Sequence, residues 1–168
     1  MKASSNTFRL LSIAISTRGF GYAVMEGNND LVAFGARGVK GDKNVRCRRS
    51  IEKLLKLYWP DVLVLYDVKA KDARRGPRTQ RLHEEIMTLA KQQKLKIAVF
   101  PITDVRSSLL SNSKATKHEL AISMAKKFPD ELASRLPPKR RPWMSEDRRM
   151  DIFDAVSLAC AYRLKHAG

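Results

Sequence analysis

Three apolar runs separated by short turns fill the first 39 residues, and they limit the possible fold more than any other feature. The runs cover residues 8–15, 20–25 and 31–39. The segments between them, 16–19 and 27–30, are rich in Gly, Ser and Asn, which favour tight turns. Strands joined by such short turns pair antiparallel, because a parallel pair needs a long crossover connection. The sequence therefore predicts a three-stranded antiparallel meander.

Beyond the meander, helical and strand patterns alternate, which is typical of parallel strands covered by helices. Apolar spacing predicts helices over 45–58, 82–94, 116–128 and 146–165, and strands over 61–66 and 96–100. Residues 67–81 are expected to form a basic loop or the start of a helix, and the proline-rich stretch 129–143 an exposed connection. We expect an α/β fold in one domain, residues 1–168, whose five-stranded mixed sheet is flanked by helices.

The chain is strongly basic, with 33 Lys and Arg against 17 Asp and Glu, a net charge of +16 and a pI near 10.3. A folded basic protein favours a polyanionic partner, most often nucleic acid. A hydrophobic content of 43% excludes a disordered basic tail. No run is apolar enough to span a membrane and no secretory signal is visible, so we expect a cytoplasmic protein with no membrane partner. Cys47 and Cys160 are too few for a disulfide scaffold.

Positive charge is concentrated in three clusters that could contact phosphates. The densest cluster comprises Lys69, Lys71, Arg74, Arg75, Arg78 and Arg81. The second comprises Lys43, Arg46, Arg48 and Arg49, and the third Lys139, Arg140 and Arg141. Trp143 follows the third cluster and is interpreted as a hydrophobic anchor for the proline-rich segment, with stacking on a nucleic-acid base as the alternative.

Three carboxylates in the last predicted helix are the candidate catalytic groups. Asp147, Asp151 and Asp154 are spaced i, i+4 and i+7, so a helix that includes all three places them on one face. Paired carboxylates suit Mg²⁺, which prefers oxygen ligands and supports phosphoryl chemistry. The alternative is structural: Asp147 caps the helix, and Asp151 pairs with Arg148 or Arg149.

Four local strings, in this order along the chain, resemble the RuvC-like Holliday junction resolvases. They are residues 13–24 (IAISTRGFGYAV), 59–66 (WPDVLVLY), 114–120 (KATKHEL) and 151–159 (DIFDAVSLA). The resemblance implies an RNase H-like fold and a homodimer that acts on branched DNA in recombination and repair. It also implies two Mg²⁺ or Mn²⁺ ions held by four carboxylates. The third string adds Lys114 and Lys117 to the candidate DNA-binding residues.

The sequence departs from the family pattern at two of the four carboxylate positions. Asp151 and Asp154 match the last two acids, but the first falls on Ala14 and the second on Tyr66. Alanine offers no ligand, and a tyrosine hydroxyl with a pKa near ~10 is a poor Mg²⁺ ligand at neutral pH. Asp67 comes one residue late, so strand alternation points it to the opposite face unless a bulge intervenes.

The resemblance and its departures together predict a nucleoid-associated protein that binds structured, most simply branched, DNA through its basic surface. Its two-metal site is expected to be degenerate, with weak hydrolysis or none, as in a pseudoenzyme. One alternative is an active Mg²⁺-dependent nuclease whose site is rebuilt from Asp67, Asp147, Asp151 and Asp154, with Asp151 and Asp154 as the metal ligands. The other is a non-catalytic subunit that binds RNA or protein.

Overall fold

A five-stranded mixed sheet forms the centre of the fold. The computed structural model describes residues 7–27, 29–68 and 76–166. The strands are β1 (Arg9–Ile15), β2 (Gly19–Glu26), β3 (Asp30–Gly38), β4 (Val62–Tyr66) and β5 (Lys96–Phe100). Their order in the sheet is β3-β2-β1-β4-β5. The first three strands pair antiparallel, and β4 pairs parallel to both β1 and β5. The predicted meander followed by parallel strands is confirmed.

Six helices and one short 3₁₀ turn accompany the sheet in the described part of the chain. The helices are α1 (Lys43–Tyr58), α2 (Pro77–Gln92), α3 (Ile102–Leu110), α4 (Lys117–Lys127), α5 (Pro129–Leu132) and α6 (Met150–Lys165), and the 3₁₀ turn is Ala133–Arg135. Two of the helices begin at side-chain caps. Asp42 accepts a hydrogen bond from the Val45 amide, and Thr116 accepts one from the Glu119 amide.

The helices cover both faces of the sheet, because side chains alternate along each strand. On β1, Leu11, Ile13 and Ile15 pack with α1 and α2. Leu10 and Ala14 face the other way and pack with α6. Twelve of the sixteen residues of α6 are buried, so this helix is the centre of the second layer. The sheet therefore lies between two helical layers.

Two helix starts differ from the sequence-based prediction, and helical elements form at two places where none was predicted. α2 begins at Pro77 rather than 82, because proline suits the first helical turn and Gly76 precedes it in an extended conformation. α6 begins at Met150 rather than 146, after a hydrogen-bonded turn at Asp147. α3 was not predicted, since its single buried residue, Val105, leaves almost no apolar periodicity. The expected loop over 129–143 begins with α5 and the 3₁₀ turn.

Within the described residues, no helix is long and apolar enough to cross a membrane.

Candidate functional site

The first turns of several helices lie at the end of the sheet where β1 and β4 finish. We call this end the carboxyl edge. β1, β3, β4 and β5 run in the same direction, so all of them end there. The turn after β1 is the meeting point. The Thr17 carbonyl accepts hydrogen bonds from Lys43 Nζ at 3.0 Å, at the start of α1, and from Arg78 at 3.2 Å, at the start of α2. Because carboxyl ends of strands and helix starts meet here, this edge is the natural place for a binding site.

Asp151 is the buried acid of this edge. Its side chain lies in the first turn of α6, the residue is 7% exposed, and its Oδ2 accepts a hydrogen bond from Ser16 Oγ at 2.8 Å. Burial and, less strongly, the charge of Asp154 raise the pKa of Asp151, whereas the hydrogen bond from Ser16 lowers it. The net pKa is about 6. A fraction of this carboxyl group is therefore protonated near neutral pH.

Gly21 allows α6 to approach the sheet closely enough for the Ser16–Asp151 contact. A Cβ atom at Gly21 would lie 2.0 Å from the Asp151 carbonyl oxygen, well inside the van der Waals limit. Further along the helix, Ser12 Oγ donates a hydrogen bond of 2.6 Å to the Ala155 carbonyl. Small residues on the α6-facing side of β1 and β2 thus fix the start of α6 against the carboxyl edge.

Asp154 is bound to an ammonium group. Lys117 Nζ, at the first residue of α4, lies 2.9 Å from Asp154 Oδ2 and 2.5 Å from Glu146 Oε1. Burial lowers the pKa of Lys117, but Asp154 and Glu146 together outweigh this effect, and the net pKa is raised. Lys117 therefore stays protonated and holds two acids of the site in ion pairs.

Ala14 and Tyr66 both face α6, as the resemblance places them. The β1–β4 register pairs Ile13 with Leu65, so its extension by one residue sets Ala14 beside Tyr66. Ala14 is 4% exposed and adds no polar atom to the site. The Tyr66 hydroxyl donates a hydrogen bond of 2.9 Å to the Asp154 carbonyl. Tyr66 thus supports the backbone of α6 rather than presenting a carboxylate.

The remaining candidate acids are placed elsewhere. Asp147 precedes α6, and its two oxygens accept hydrogen bonds from Arg149 at 3.0 and 2.8 Å. The hydrogen bond from Arg149 lowers the pKa of Asp147 to about 2. The prediction that one helical face carries Asp147, Asp151 and Asp154 is wrong, because the helix starts too late. Pairing of Asp151 with Arg148 or Arg149 is also wrong, since Ser16 contacts Asp151 and Arg149 binds Asp147.

The residues present do not fit a pair of divalent ions. Two close Mg²⁺ or Mn²⁺ ions need several carboxylate oxygens around them. Here Asp151 has a pKa of about 6, Asp154 is paired with Lys117, and Asp67 follows β4 with its amide bound to the Phe100 carbonyl at 2.8 Å. Among the residues that the structure describes, no three His, Cys, Asp or Glu side chains lie close enough to hold a metal ion.

Cations surround the carboxylates at this edge. Of the densest predicted cluster, Arg78 and Arg81 lie on α2, whereas Lys69, Lys71, Arg74 and Arg75 lie outside the described residues. The other predicted cations, Lys114, Lys139, Arg140 and Arg141, are exposed.

Sequence analysis did not predict two further cations of the edge, Arg18 and Arg148, as phosphate contacts. Arg18 is exposed in the turn after β1, and its charge lowers the pKa of Asp147 after the larger effects of Arg149. The Arg148 guanidinium packs over Gly38. The only signal for Arg18 was its place within the first family-like string.

Comparison with known proteins gives matches at the level of structure. Neither a family model nor a curated protein matches the sequence. A Thermus thermophilus RuvC structure superposes with a TM-score of 0.68 at 13% identity, covering 94% of each chain. The yeast mitochondrial Holliday junction resolvase Ydc2 superposes with a TM-score of 0.63 at 13% identity, covering 95% of this chain and 81% of that one.

A third solved structure is the Fowlpox virus resolvase in complex with Holliday junction DNA. It superposes with a TM-score of 0.55 at 15% identity, covering 91% of this chain and 97% of that one. These likenesses span nearly the whole chain at low identity, so they establish architecture. The chain has the RuvC-like fold of these resolvases.

Proposed function

We propose that this chain is a single RuvC-like domain that binds structured, branched DNA at its carboxyl edge and hydrolyses it weakly or not at all. The solved structures with this fold include a resolvase bound to Holliday junction DNA. The net charge of +16 supports a polyanionic ligand. Since Arg18, Arg78 and Arg148 lie at the carboxyl edge, phosphates are expected to bind there.

The observation that carries the non-catalytic part of the proposal is the position of the Lys117 ammonium group. It binds Asp154 and Glu146 at 2.9 and 2.5 Å, so a positive charge already neutralises these acids. Of the family's four acid positions, Asp151 and Asp154 are retained, and the other two are an alanine and a tyrosine that supports the backbone. A nuclease rebuilt from Asp67 and Asp147 is disfavoured, because Asp147 is bound to Arg149.

We also propose that the protein acts as a homodimer on chromosomal DNA in the nucleoid. A four-way junction has approximate two-fold symmetry, so two copies can present equivalent basic edges to it. Sedimentation equilibrium of the protein alone and of its complex with a four-way junction tests this part. One copy per junction would contradict it.

A binding and cleavage panel tests the main proposal. The affinity of the full chain for single-stranded, duplex, forked and four-way DNA is measured by mobility shift between 50 and 300 mM salt. We expect the branched substrates to bind best, with a steep loss of affinity as salt rises, because each phosphate contact releases counterions. Equal binding to duplex and branched DNA would contradict the structural preference, and tighter binding to RNA would favour the RNA-binding alternative.

The same panel with 5 mM Mn²⁺ or Mg²⁺, on the order of usual assay conditions for two-metal sites, tests hydrolysis. We expect no cleavage above that of the Asp154→Asn variant. Cleavage that the variant loses would contradict the degenerate site and establish the nuclease alternative.

A further inference from the structure

Trp143 is the most exposed of the large apolar side chains in the described part of the chain, at 76%. The interpretation of this residue as a hydrophobic anchor is therefore wrong. Met144, its neighbour, is 45% exposed. Two adjacent apolar side chains that face water have no packing role here and are available for contact with a partner.

The backbone holds Trp143 in a defined position. The Met144 amide donates a hydrogen bond of 2.9 Å to the Arg141 carbonyl, which closes a turn over residues 141–144. Pro142 occupies the second position of this turn, where its restricted φ favours the turn conformation. Because the turn is already ordered, a ligand that contacts the indole group loses little conformational entropy on binding.

Positive charge surrounds the indole ring. The Arg141 guanidinium carbon lies 5.6 Å from the centroid of the Trp143 ring, within the range of a cation–π contact. Lys139 and Arg140 are exposed immediately before the turn. An aromatic platform with adjacent arginines fits a nucleobase and its phosphates, and this charge disfavours a basic or purely apolar protein surface as the occupant.

A cleft connects this turn with the carboxyl edge. It has a volume of about 400 Å³, and its lining includes Met144, Lys139 and Arg140 on one side and Lys117 and Glu146 on the other. The volume is that of a small-molecule site and accommodates a nucleotide. DNA that contacts the Lys117 side of the cleft therefore lies within reach of the Trp143 turn.

We propose that Trp143 stacks on an unpaired base of DNA bound at the carboxyl edge, while Lys139 and Arg140 contact the adjacent phosphates. Arg141 covers one face of the indole ring and the base stacks on the other. This inference rests on the proposed DNA-binding function and adds to it a preference for unpaired nucleotides. A fully paired duplex would use the cations but not the indole group.

Binding to matched probes tests the inference. One forked DNA carries the fluorescent base 2-aminopurine in a short unpaired gap at the fork, and a second carries the same base fully paired. The variants are Trp143→Ala, Trp143→Phe and, as an exposed apolar control, Leu57→Ala on α1, where Leu57 is 70% exposed. Dissociation constants are measured by fluorescence anisotropy.

We expect Trp143→Ala to weaken binding of the gapped DNA by about tenfold and of the paired DNA by less than about twofold, in line with the contribution of one base–aromatic stack. Trp143→Phe should recover most of the affinity, and Leu57→Ala should match the wild type. In a Trp59→Phe background Trp143 is the single tryptophan of the chain, which has two. Its fluorescence should be quenched by the gapped DNA and changed little by the paired one.

An equal effect of Trp143→Ala on both probes, or none on either, overturns the inference while the proposed function stands. Unquenched Trp143 fluorescence in a saturated complex overturns it too. If the wild type shows no salt-dependent DNA binding, the proposed function itself fails.

Discussion

Two cation–carboxylate clusters lie at opposite edges of the sheet, and their comparison shows what distinguishes a structural ion pair from a candidate site. At the amino edge, Arg9 pairs with Glu26 at 2.5 Å and donates its amide to Asp61 at 2.9 Å. At the carboxyl edge, Lys117 pairs with Glu146 and Asp154 at similar distances. Each cluster joins one basic residue to two acids, although Asp61 contacts the Arg9 backbone amide rather than its guanidinium group.

The surroundings of the two clusters differ. The Arg9 guanidinium also donates a hydrogen bond to the Tyr58 carbonyl, so it connects β1 with the end of α1 and has a structural role. The Lys117 cluster lies beside the buried Asp151 and opens into the cleft lined by Lys139 and Arg140. The ion pairs alone therefore do not mark a functional site. The combination of a cleft, a carboxyl group with a raised pKa and surrounding cations does indicate a candidate site.

Restoration of the missing acids is expected to have the largest effect. The Ala14→Asp/Tyr66→Glu variant places two carboxylates at positions that are 4% and 9% exposed. Buried unpaired charges should lower the unfolding free energy by about 3–5 kcal/mol. If the backbone at this edge retains the geometry of a metal site, Mn²⁺ should raise the melting temperature of the variant and leave that of the wild type unchanged. The same Mn²⁺ response in the wild type would contradict the degenerate site.

Charge reversal at each edge is expected to have the next largest effect. Arg18→Glu/Arg148→Glu removes two cations from the carboxyl edge and should weaken binding of branched DNA by about 100-fold at low salt, with a shallower salt slope. Lys94→Glu/Lys96→Glu makes the same change of net charge where β5 begins, at the amino edge. Mobility shift at several salt concentrations should show a change of only a few fold. Equal losses would mean that net charge rather than position determines binding.

The mixed sheet, with its meander followed by parallel strands, could be predicted because it depends on local signals: short Gly- and Asn-containing turns, continuous apolar runs and helical spacing. The start of α6 could not. Glu146 and Asp147 look like acids in a first helical turn, but Asp147 forms a tighter local contact with Arg149 and the helix begins at Met150. That shift of a few residues removes Asp147 from the predicted carboxylate face.

Of the site, the sequence predicted which acids are missing, and it left open whether Tyr66 or, through a bulge, Asp67 faces α6. It did not predict what replaces the missing charge. The contact between Lys117 and Asp154 joins α4 to α6 across 37 positions of sequence, and the contact between Ser16 and Asp151 joins the turn after β1 to α6 across 135. No local pattern encodes such pairs, because they arise only when helices pack on the sheet.

Removal of each central cation sharpens the comparison between the two clusters. Lys117→Met leaves Asp154 and Glu146 without their cation, and Arg9→Met leaves Glu26 without its cation, so each should cost about 1.5–3 kcal/mol of unfolding free energy. Only Lys117→Met should also create weak Mn²⁺ binding, because it frees Asp154 and Glu146, which both contact one ammonium group and can share a cation in its place. Isothermal titration calorimetry with Mn²⁺ checks this. Mn²⁺ binding by both variants, or by neither, would mean that the two edges do not differ in their capacity to bind a metal ion.

The smallest expected effect concerns Asp151, which has no counterpart at the amino edge. Its pKa of about 6 in the folded protein lies above the value near 3.8 expected in the unfolded chain. The folded state therefore binds more protons between these two values. The contribution of Asp151 to stability is therefore greatest below about pH 4 and is lost as the pH rises through 6. Asp151→Asn keeps an oxygen that can accept the Ser16 hydrogen bond but removes the charge.

Urea denaturation at a series of pH values should then show little difference between Asp151→Asn and the wild type near pH 4. The variant should be more stable by about 1–3 kcal/mol above pH 7. Asp130→Asn, at an exposed position on α5, controls for the change of net charge. A difference between Asp151→Asn and the wild type that does not vary with pH would mean that the Ser16 contact and nearby cations keep Asp151 ionised. The carboxyl edge would then carry a stable negative charge beside Lys117, and the contrast with the Arg9 cluster would rest on the cleft and the surrounding cations alone.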